Sequence, residues 1–338
     1  MRCLKYLTMF LIVFILAGSF ECGAVDKNQI IIGTAGVSKS SAYDYVTEAL
    51  ENGFYNIDTS IDYYNDQEVG QSIRDFERKS KDNHVYVISK FSLPDSFGDT
   101  VFINDSLVES VSDLEDVIKR KLEMSIKTLG HVDEFLFHKI IPRCVSLNDI
   151  VKAFRNIKES DEKYKNIKFG INTVSSKEIN ELINNGLGKH VEVIQNPYWY
   201  GSDFLVNLFD IGDKVYDVCQ KYGIKYETYR TLGKGYFVKN LKLPPSLLVK
   251  HSVDKGYVPI VKATGRKHLE DLVKEVDKSV KLPQINIKDY YDSGVISENI
   301  QILNKGIVND NDPDQLDVIN SKQHWYRKES YKKARKFL

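Results

Sequence analysis

Eight short runs of β-branched and aromatic residues alternate with helical patterns from residue 28 onward, and this alternation constrains the fold more than any other feature. The runs hold apolar residues in succession, which is typical of strands that are buried on both faces. They are QIIIG (29–33), FYNI (54–57), VYVIS (85–89), EFLF (134–137), IKFGI (167–171), VEVIQ (191–195), IKYET (224–228) and YVPIV (257–261). Strands that alternate with helices predict parallel pairing.

Amphipathic helical patterns fill the segments between these runs. They cover residues 41–52, 67–78, 113–129, 147–159, 176–185, 205–222, 246–255 and 267–276. Eight strand–helix units within about 250 residues favour an α/β fold of the (β/α)8 TIM barrel class. A doubly wound sheet is the alternative, but the first strand runs into GTAGVSKSS, which does not match the GxGxxG turn of dinucleotide-binding sheets.

The first 24 residues differ from the rest of the chain. Arg2 and Lys5 precede an apolar run that extends from Leu7 to Gly18. This order predicts a secretory signal peptide and a secretory or extracytoplasmic location. A membrane anchor is the alternative, although the run is shorter than the roughly 20 residues that a spanning helix needs. We therefore predict three regions: a signal peptide at 1–24, the barrel at 25–280, and a tail at 281–338 that packs over the barrel mouth.

Charge and cysteine usage exclude several kinds of partner. The 338 residues include 47 Lys and Arg and 47 Asp and Glu, so the formal net charge of zero predicts no binding to nucleic acid or to an anionic membrane. Cleavage of the signal would leave Cys144 and Cys219, and no Cys/His spacing motif indicates a metal site. Asn104 begins a glycosylation sequon. No oligomerisation pattern is evident, and we expect a monomer.

Polar side chains stand where the predicted strands end, which is the face where barrels carry out chemistry. Asp58 ends the second strand, and Tyr63 follows it. Lys90 ends the third strand, and His138 follows the fourth. A buried lysine requires a partner because desolvation disfavours its charge, and Asp58 is the natural one.

These four residues predict acid–base chemistry. A cation beside a phenol lowers the phenol pKa from about 10, so Tyr63 would exchange a proton with a carbonyl or alcohol oxygen. A neutral His138 would orient the same oxygen by a hydrogen bond. Each residue alone has an ordinary structural interpretation, such as a helix cap for Asp58 or a surface position for Lys90. Their convergence on adjacent strand ends favours the catalytic interpretation.

The same residues resemble the aldo-keto reductase family. The strand-three lysine of the family is matched by Lys90, and FGI (169–171) opens its fifth-strand motif. PSLLVKHSVDKGYVPIVKA (245–263) is similar to its seventh helix and cofactor-lysine strand. The strand-two and strand-four motifs are matched by Asp58-Thr59-Ser60, Tyr63, Asn65, Glu68-Val69-Gly70 and VDEFLFH (132–138). The resemblance covers residues 28 to 276.

The resemblance implies NAD(P)H-dependent reduction of an aldehyde or ketone. Tyr63 would donate the proton, Lys90 would lower its pKa, Asp58 would pair with Lys90, and His138 would orient the carbonyl. The cofactor would lie across the barrel mouth, and no metal would be required. The residues that the resemblance assigns to cofactor contact are Gly33, Thr34, Asn172, Thr173, Gln195, Tyr229, Arg230, Leu232, Gly233, Lys262 and His268.

Departures from the family pattern bear on the cofactor. Asn172-Thr173 replaces Ser-Asn, and His268 replaces an arginine that follows the cofactor lysine. Lys262 is retained, and its charge favours the 2′-phosphate of NADP, with NAD as the alternative. These changes leave a second function open, a non-catalytic regulatory protein that binds a nicotinamide cofactor on the same fold. The substrate is a small carbonyl compound whose identity the sequence does not indicate, because specificity would come from loops.

Overall fold

The structure, a computed structural model, describes residues 24–80, 82–93, 101–103, 106–108, 111–138, 145–200, 202, 210 and 212–276. By internal contacts the chain divides after Ile285, and the described residues all lie in the first unit, Met1–Ile285. The predicted signal peptide up to residue 23, the sequon at Asn104, Cys144 and the tail from residue 281 lie outside the described residues. None of the helices within the described ranges has the length and apolarity of a membrane span.

Eight parallel strands close into a barrel. Their order around the barrel is β1-β10-β9-β8-β7-β6-β3-β2, and β2 returns to pair with β1. They are β1 Ile31–Gly33, β2 Asn56–Asp58, β3 Tyr86–Phe91, β6 Glu134–Phe137, β7 Lys168–Asn172, β8 Val193–Pro197, β9 Lys225–Tyr229 and β10 Val258–Val261. The predicted (β/α)8 TIM barrel is confirmed.

Helices connect successive barrel strands. They are α1 Lys39–Glu51, α2 Asp66–Lys79, α3 Val111–Leu129, α4 Leu147–Ser160, α5 Ser176–Asn184, α6 Asp213–Tyr222, α7 Tyr236–Lys239, α8 Pro245–Asp254 and α9 Arg266–Val273. Most begin and end within two residues of the predicted positions. Two differ: α9 ends at Val273, short of residue 276, and α6 begins at Asp213 because the backbone of Gly212 before it is non-helical. The predicted start of α6 at residue 205 lies outside the described residues.

Two further elements did not show in the sequence pattern. An antiparallel hairpin joins β4 Val101–Ile103 to β5 Ser106–Val108 between β3 and α3. Helix α7 is a single turn beyond β9. Both are too short for periodicity to identify.

One glycine of the second strand–helix unit is required by packing. A Cβ at Gly70 in α2 would stand 2.1 Å from the carbonyl oxygen of Thr128 near the end of α3. The two helix backbones therefore approach too closely for any side chain at this position. The close packing of α2 against the end of α3 therefore requires glycine at position 70.

The interior of the barrel follows the two-residue period of its strands. Ile31, Ile88, Leu136, Val193 and Ile260 form an apolar cluster inside it. The residues two positions further along these strands share the same face and lie nearer the carboxyl end. They are Gly33, Lys90, His138, Gln195 and Lys262.

A chain of polar side chains also runs through the interior. Tyr86 donates a hydrogen bond to Glu134 at 2.7 Å, and the Lys225 ammonium lies 2.9 Å from the same carboxylate. Lys225 also lies 2.5 Å from Glu227, to which Gln195 donates at 2.8 Å. The interiors of such barrels are usually filled by branched apolar side chains. Polar side chains buried there are costly unless each has a hydrogen-bond or ion-pair partner.

Glu227 makes the stability of this barrel depend on pH. Burial and then the charge of Glu134 raise its pKa from 4.5 to about 7, although Lys225 acts in the opposite direction. Between these values folded Glu227 retains a proton that the unfolded chain has released. We therefore expect this residue to lower the free energy of unfolding as pH rises from about 4.5 to about 7.

Urea denaturation of the wild type and of Glu227→Gln across this pH range checks the prediction. The wild type should lose stability relative to the variant as pH rises, and the difference should level off above pH 7. Parallel pH dependence in the two proteins would contradict it.

Candidate active site

A buried ion pair stands at the carboxyl end of β2 and β3. The Lys90 ammonium donates to Asp58 Oδ2 at 2.5 Å, and the side chains are 2% and 4% exposed. Burial alone would lower the pKa of Lys90, but the charge of Asp58 and the hydrogen bond to it raise it. Gln195 also donates to Asp58 Oδ2, at 2.9 Å. Lys90 is thus a fixed cation, held in the barrel by its carboxylate partner.

Tyr63 lies beside this pair. It ends a 3-10 turn, Ile61–Tyr63, which follows β2 and is capped by the Ser60 hydroxyl accepting from the Asp62 amide. The Lys90 ammonium is 5.5 Å from the centre of the Tyr63 ring, and the His138 ring packs edge-on at 5.6 Å. The structure therefore brings together all four of the residues predicted for catalysis.

The protonation of Tyr63 differs from the sequence prediction. Burial raises its pKa to about 12; Lys90 lowers it, while Asp58, Tyr229 and Asp62 raise it further. The expected depression below 10 is thus wrong for the protein alone, because burial and the nearby carboxylate outweigh the cation. Tyr63 is a protonated phenol at neutral pH.

Asp62 is a residue of the site that the sequence analysis missed. Its Oδ2 lies 3.2 Å from His138 Nδ1, and it accepts from the hydroxyls of Ser92 at 2.8 Å and Ser60 at 3.2 Å. Burial raises the pKa of Asp62, but these hydrogen bonds and the His138 charge together lower it. The sequence shows an acid directly before the tyrosine, but two of its partners, Ser92 and His138, follow other strands.

The ionised Asp62 changes the expected state of His138. A carboxylate only accepts hydrogen bonds, so His138 Nδ1 carries a proton in this contact. A neutral ring with that tautomer has no proton on Nε2 and donates nothing from it. The expectation of a neutral His138 that donates to a substrate therefore does not fit this geometry; donation from Nε2 requires the doubly protonated ring.

A second polar group lines the ends of β7, β8 and β9. Asn172 donates to Gln195 Oε1 at 3.1 Å, and Thr173 shares a 2.8 Å hydrogen bond with the Tyr229 hydroxyl. The amide of Gln195 is committed to Asp58 and Glu227, so its contacts point into the barrel. Thr173 has a left-handed backbone (φ 59°), which is strained for a β-branched residue and natural for the asparagine of the family pattern.

The turn after β9 has several left-handed residues. Arg230 has φ 67°, and its guanidinium lies 5.9 Å from the centre of the Tyr229 ring. Leu232 is half-buried, and Gly233 is buried with φ 54°. A Cβ at Gly233 would stand 2.2 Å from the Phe237 ring. Glycine is therefore required here by both backbone conformation and space.

The loop after β1 meets the end of β10. The exposed Lys262 ammonium lies 2.8 Å from the carbonyl of Gly36. Thr34 donates its hydroxyl to Thr59 at 2.9 Å, and the Gly33 carbonyl accepts from Tyr45 at 3.1 Å. His268 is exposed in the first turn of α9, with Nδ1 2.5 Å from the carbonyl of Thr264. Lys262 thus lies over the β1 loop, and His268 contacts the chain just before its own helix.

We expect the charge on Lys90 to matter for stability as well as for chemistry. Lys90→Met leaves the Asp58 carboxylate buried without its cation, which costs about 3–5 kcal/mol in the free energy of unfolding. Chemical denaturation measures this loss. The double variant Lys90→Met/Asp58→Asn should recover most of it, because no uncompensated charge remains.

The matched control is Lys165→Met, which breaks an exposed ion pair with Glu162. It should change the free energy of unfolding by no more than about 1 kcal/mol. Equal destabilisation of the single and double variants would show that lost packing, and not the stranded charge, is responsible.

This chain is similar to known proteins both in sequence and in fold. The sequence profile of the aldo/keto reductase family matches residues 28–246. An uncharacterized oxidoreductase of Schizosaccharomyces pombe is 24% identical over 256 residues, which covers 71% of this chain and 80% of the relative. Two solved structures share the fold. They are an aldo/keto reductase from Brucella melitensis (19% identity, TM-score 0.53, 78% of this chain and 93% of that one) and the aldose reductase of Schistosoma japonicum (15%, 0.54, 80% and 87%).

Proposed function

The chain belongs to the aldo/keto reductase family of oxidoreductases, and we propose that it reduces an aldehyde or ketone to an alcohol with a nicotinamide cofactor. The observation that carries the proposal is the placement of Tyr63 beside the buried Lys90–Asp58 pair at the barrel mouth. A lysine and an aspartate are costly to bury, and a protein that only bound a cofactor would need neither.

The residues at the mouth fit a nicotinamide cofactor. The Tyr229 ring offers a flat aromatic face, while Asn172 and Thr173 offer an amide and a hydroxyl for a carboxamide. Arg230 and the exposed Lys262 provide cations for phosphate groups, and Lys262 supports NADP over NAD. When bound, the cofactor would supply the hydride for carbonyl reduction.

Tyr63 is the proposed proton donor. Its pKa of about 12 keeps the phenol protonated throughout the neutral range, so the acid form that reduction requires is fully populated. The Lys90 ammonium stabilises the phenolate that remains after transfer. Asp58 holds this cation in place, so the pair acts on the proton without contacting the substrate itself.

His138 is the proposed carbonyl-orienting group, and Asp62 holds it. The Asp62 carboxylate lies 3.2 Å from Nδ1 and accepts a hydrogen bond from it. This contact favours the ring orientation in which Nε2 faces the substrate carbonyl. In the doubly protonated ring, Nε2 donates to the carbonyl oxygen and favours negative charge developing on it. The Lys121 side chain on α3 is a further cation near Asp62.

Tyr63→Phe tests the proposed function. We expect it to abolish carbonyl reduction while leaving cofactor affinity within about twofold, because the ring packing is kept and only the proton donor is lost. The measurement is NADPH or NADH oxidation against a panel of aldehydes and ketones, with cofactor binding followed by fluorescence. Cofactor binding without turnover in the wild type would favour the non-catalytic regulatory protein instead.

Asp62→Asn tests the role of the carboxylate. We expect the reduction rate to fall about tenfold or more with little change in cofactor affinity, since general acid–base and electrostatic groups contribute at least this much. Steady-state kinetics on a carbonyl substrate, with the cofactor Kd measured separately, check this expectation.

The control for this variant is Ser92→Ala, which removes a hydrogen bond to the same Asp62 oxygen without changing charge. It should keep a larger share of the wild-type reduction rate than Asp62→Asn does. An Asp62→Asn variant that reduces the substrate at the wild-type rate would contradict the proposed role of Asp62.

A further inference from the structure

Two histidines and two carboxylates converge at the amino end of the barrel, opposite the proposed active site. Glu77 lies near the end of α2, and His84 lies in the connection from α2 to β3. His131 and Asp133 lie in the connection from α3 to β6. Because both connections lead into parallel strands, the four side chains meet on one face of the barrel.

Glu77, His84 and His131 each offer one ligand atom, and these atoms lie within 4.8 Å of one another. The two imidazole rings lie with centroids 4.9 Å apart and planes tilted by 34°. His84 Nε2 is 3.1 Å from Asp133 Oδ1, and His84 Nδ1 is 3.9 Å from Glu77 Oε1. His131 Nε2 is 3.6 Å from Asp133 Oδ2 and 3.8 Å from Glu77 Oε1. Tetrahedral zinc with ligands at about 2.0–2.2 Å places them roughly 3.3–3.6 Å apart. Glu77 Oε1, His84 Nδ1 and His131 Nε2 therefore need only small shifts to hold an ion, with water as the fourth ligand.

The backbone already holds both carboxylates in position. The amide of Val87 donates to Asp133 Oδ2 at 2.7 Å, and the amide of Val85 donates to Glu77 Oε1 at 3.2 Å. His131 Nε2 donates to the carbonyl of Val85 at 2.8 Å. A cation bound at this nitrogen would replace the donated proton, so binding releases a proton.

We propose that Glu77, His84 and His131 form a zinc site, in which Asp133 orients the ring of His84 through the nitrogen that does not face the ion. Two imidazoles and one carboxylate are a donor set that suits Zn²⁺, whereas Mg²⁺ and Ca²⁺ prefer oxygen ligands alone. The side chain of His84 is 62% exposed, so the ion enters directly from solvent. The site lies away from Tyr63 and Lys90 and does not depend on the proposed reaction.

The consequence of binding is structural. The ion would join the end of α2 to the segments that lead into β3 and β6, and the amino-terminal face of such barrels serves stability. Zn²⁺ binds the folded arrangement and not the unfolded chain, so it raises the melting temperature. The far separation of the ligands in the sequence explains why no spacing motif indicated the site.

Zinc titration of the metal-free full chain tests the proposal. Isothermal titration calorimetry should find one Zn²⁺ per chain, with a higher melting temperature in its presence and no comparable effect of Mg²⁺ or Ca²⁺. His84→Ala and His131→Ala should each weaken binding about tenfold or more and remove the thermal shift, since even outer partners of a metal site contribute about 10–100-fold. His84→Gln, which keeps a polar side chain at this exposed position, guards against misfolding of the alanine variant.

The matched control is His190→Ala, which removes a histidine outside the proposed site, at the end of the 3-10 turn Gly188–His190. It should bind Zn²⁺ as the wild type does. Wild-type affinity for Zn²⁺ in the His84 and His131 variants would overturn the assignment. So would loss of the Zn²⁺-induced thermal shift in His190→Ala.

Discussion

The buried pairing of Lys90 with Asp58 is the interaction on which the site and much of the barrel interior depend. Two opposite charges lie 2.5 Å apart with almost no solvent exposure, and neither is tolerable there without the other. Gln195 extends the pair to Glu227, and Lys225 and Glu134 continue it to Tyr86 at the amino ends of the strands. One connected polar chain therefore links the proposed chemistry to the floor of the barrel, in place of part of the apolar filling that such barrels usually contain.

Two carboxylates lie near Tyr63, and each has a different partner and therefore a different role. Asp58 faces the Lys90 ammonium, whereas Asp62 faces His138 and two serine hydroxyls. Burial keeps the phenol between them protonated, so the resting site is set to donate a proton and not to accept one. The protonation state of Tyr63 and the proton on His138 Nδ1 thus follow from the residues around them, and residue type alone did not indicate either.

The strands, the barrel and the family were all predicted correctly, because each leaves a local pattern in the sequence. Strand positions followed from continuous apolar runs, and the spacing of Asp58 and Tyr63 together with Lys90 and His138 identified four residues that do meet. The β4–β5 hairpin, the start of α6 and the contact of Asp62 with His138 did not follow. Each depends on a short element, a backbone break or a partner distant in the chain, and none of these leaves a periodic signal.

The sequence by itself determined the alternation of strands and helices and the residues that reach the carboxyl end of the barrel, because a period of two or of 3.6 residues is a local property. Only the tertiary structure decided which of these residues touch. Closure of β1 against β10 and the register of β8 on β9 place Gln195 between Asp58 and Glu227. The resulting burial decided the pKa of Tyr63, since desolvation depends on everything that surrounds a side chain and not on its neighbours in sequence.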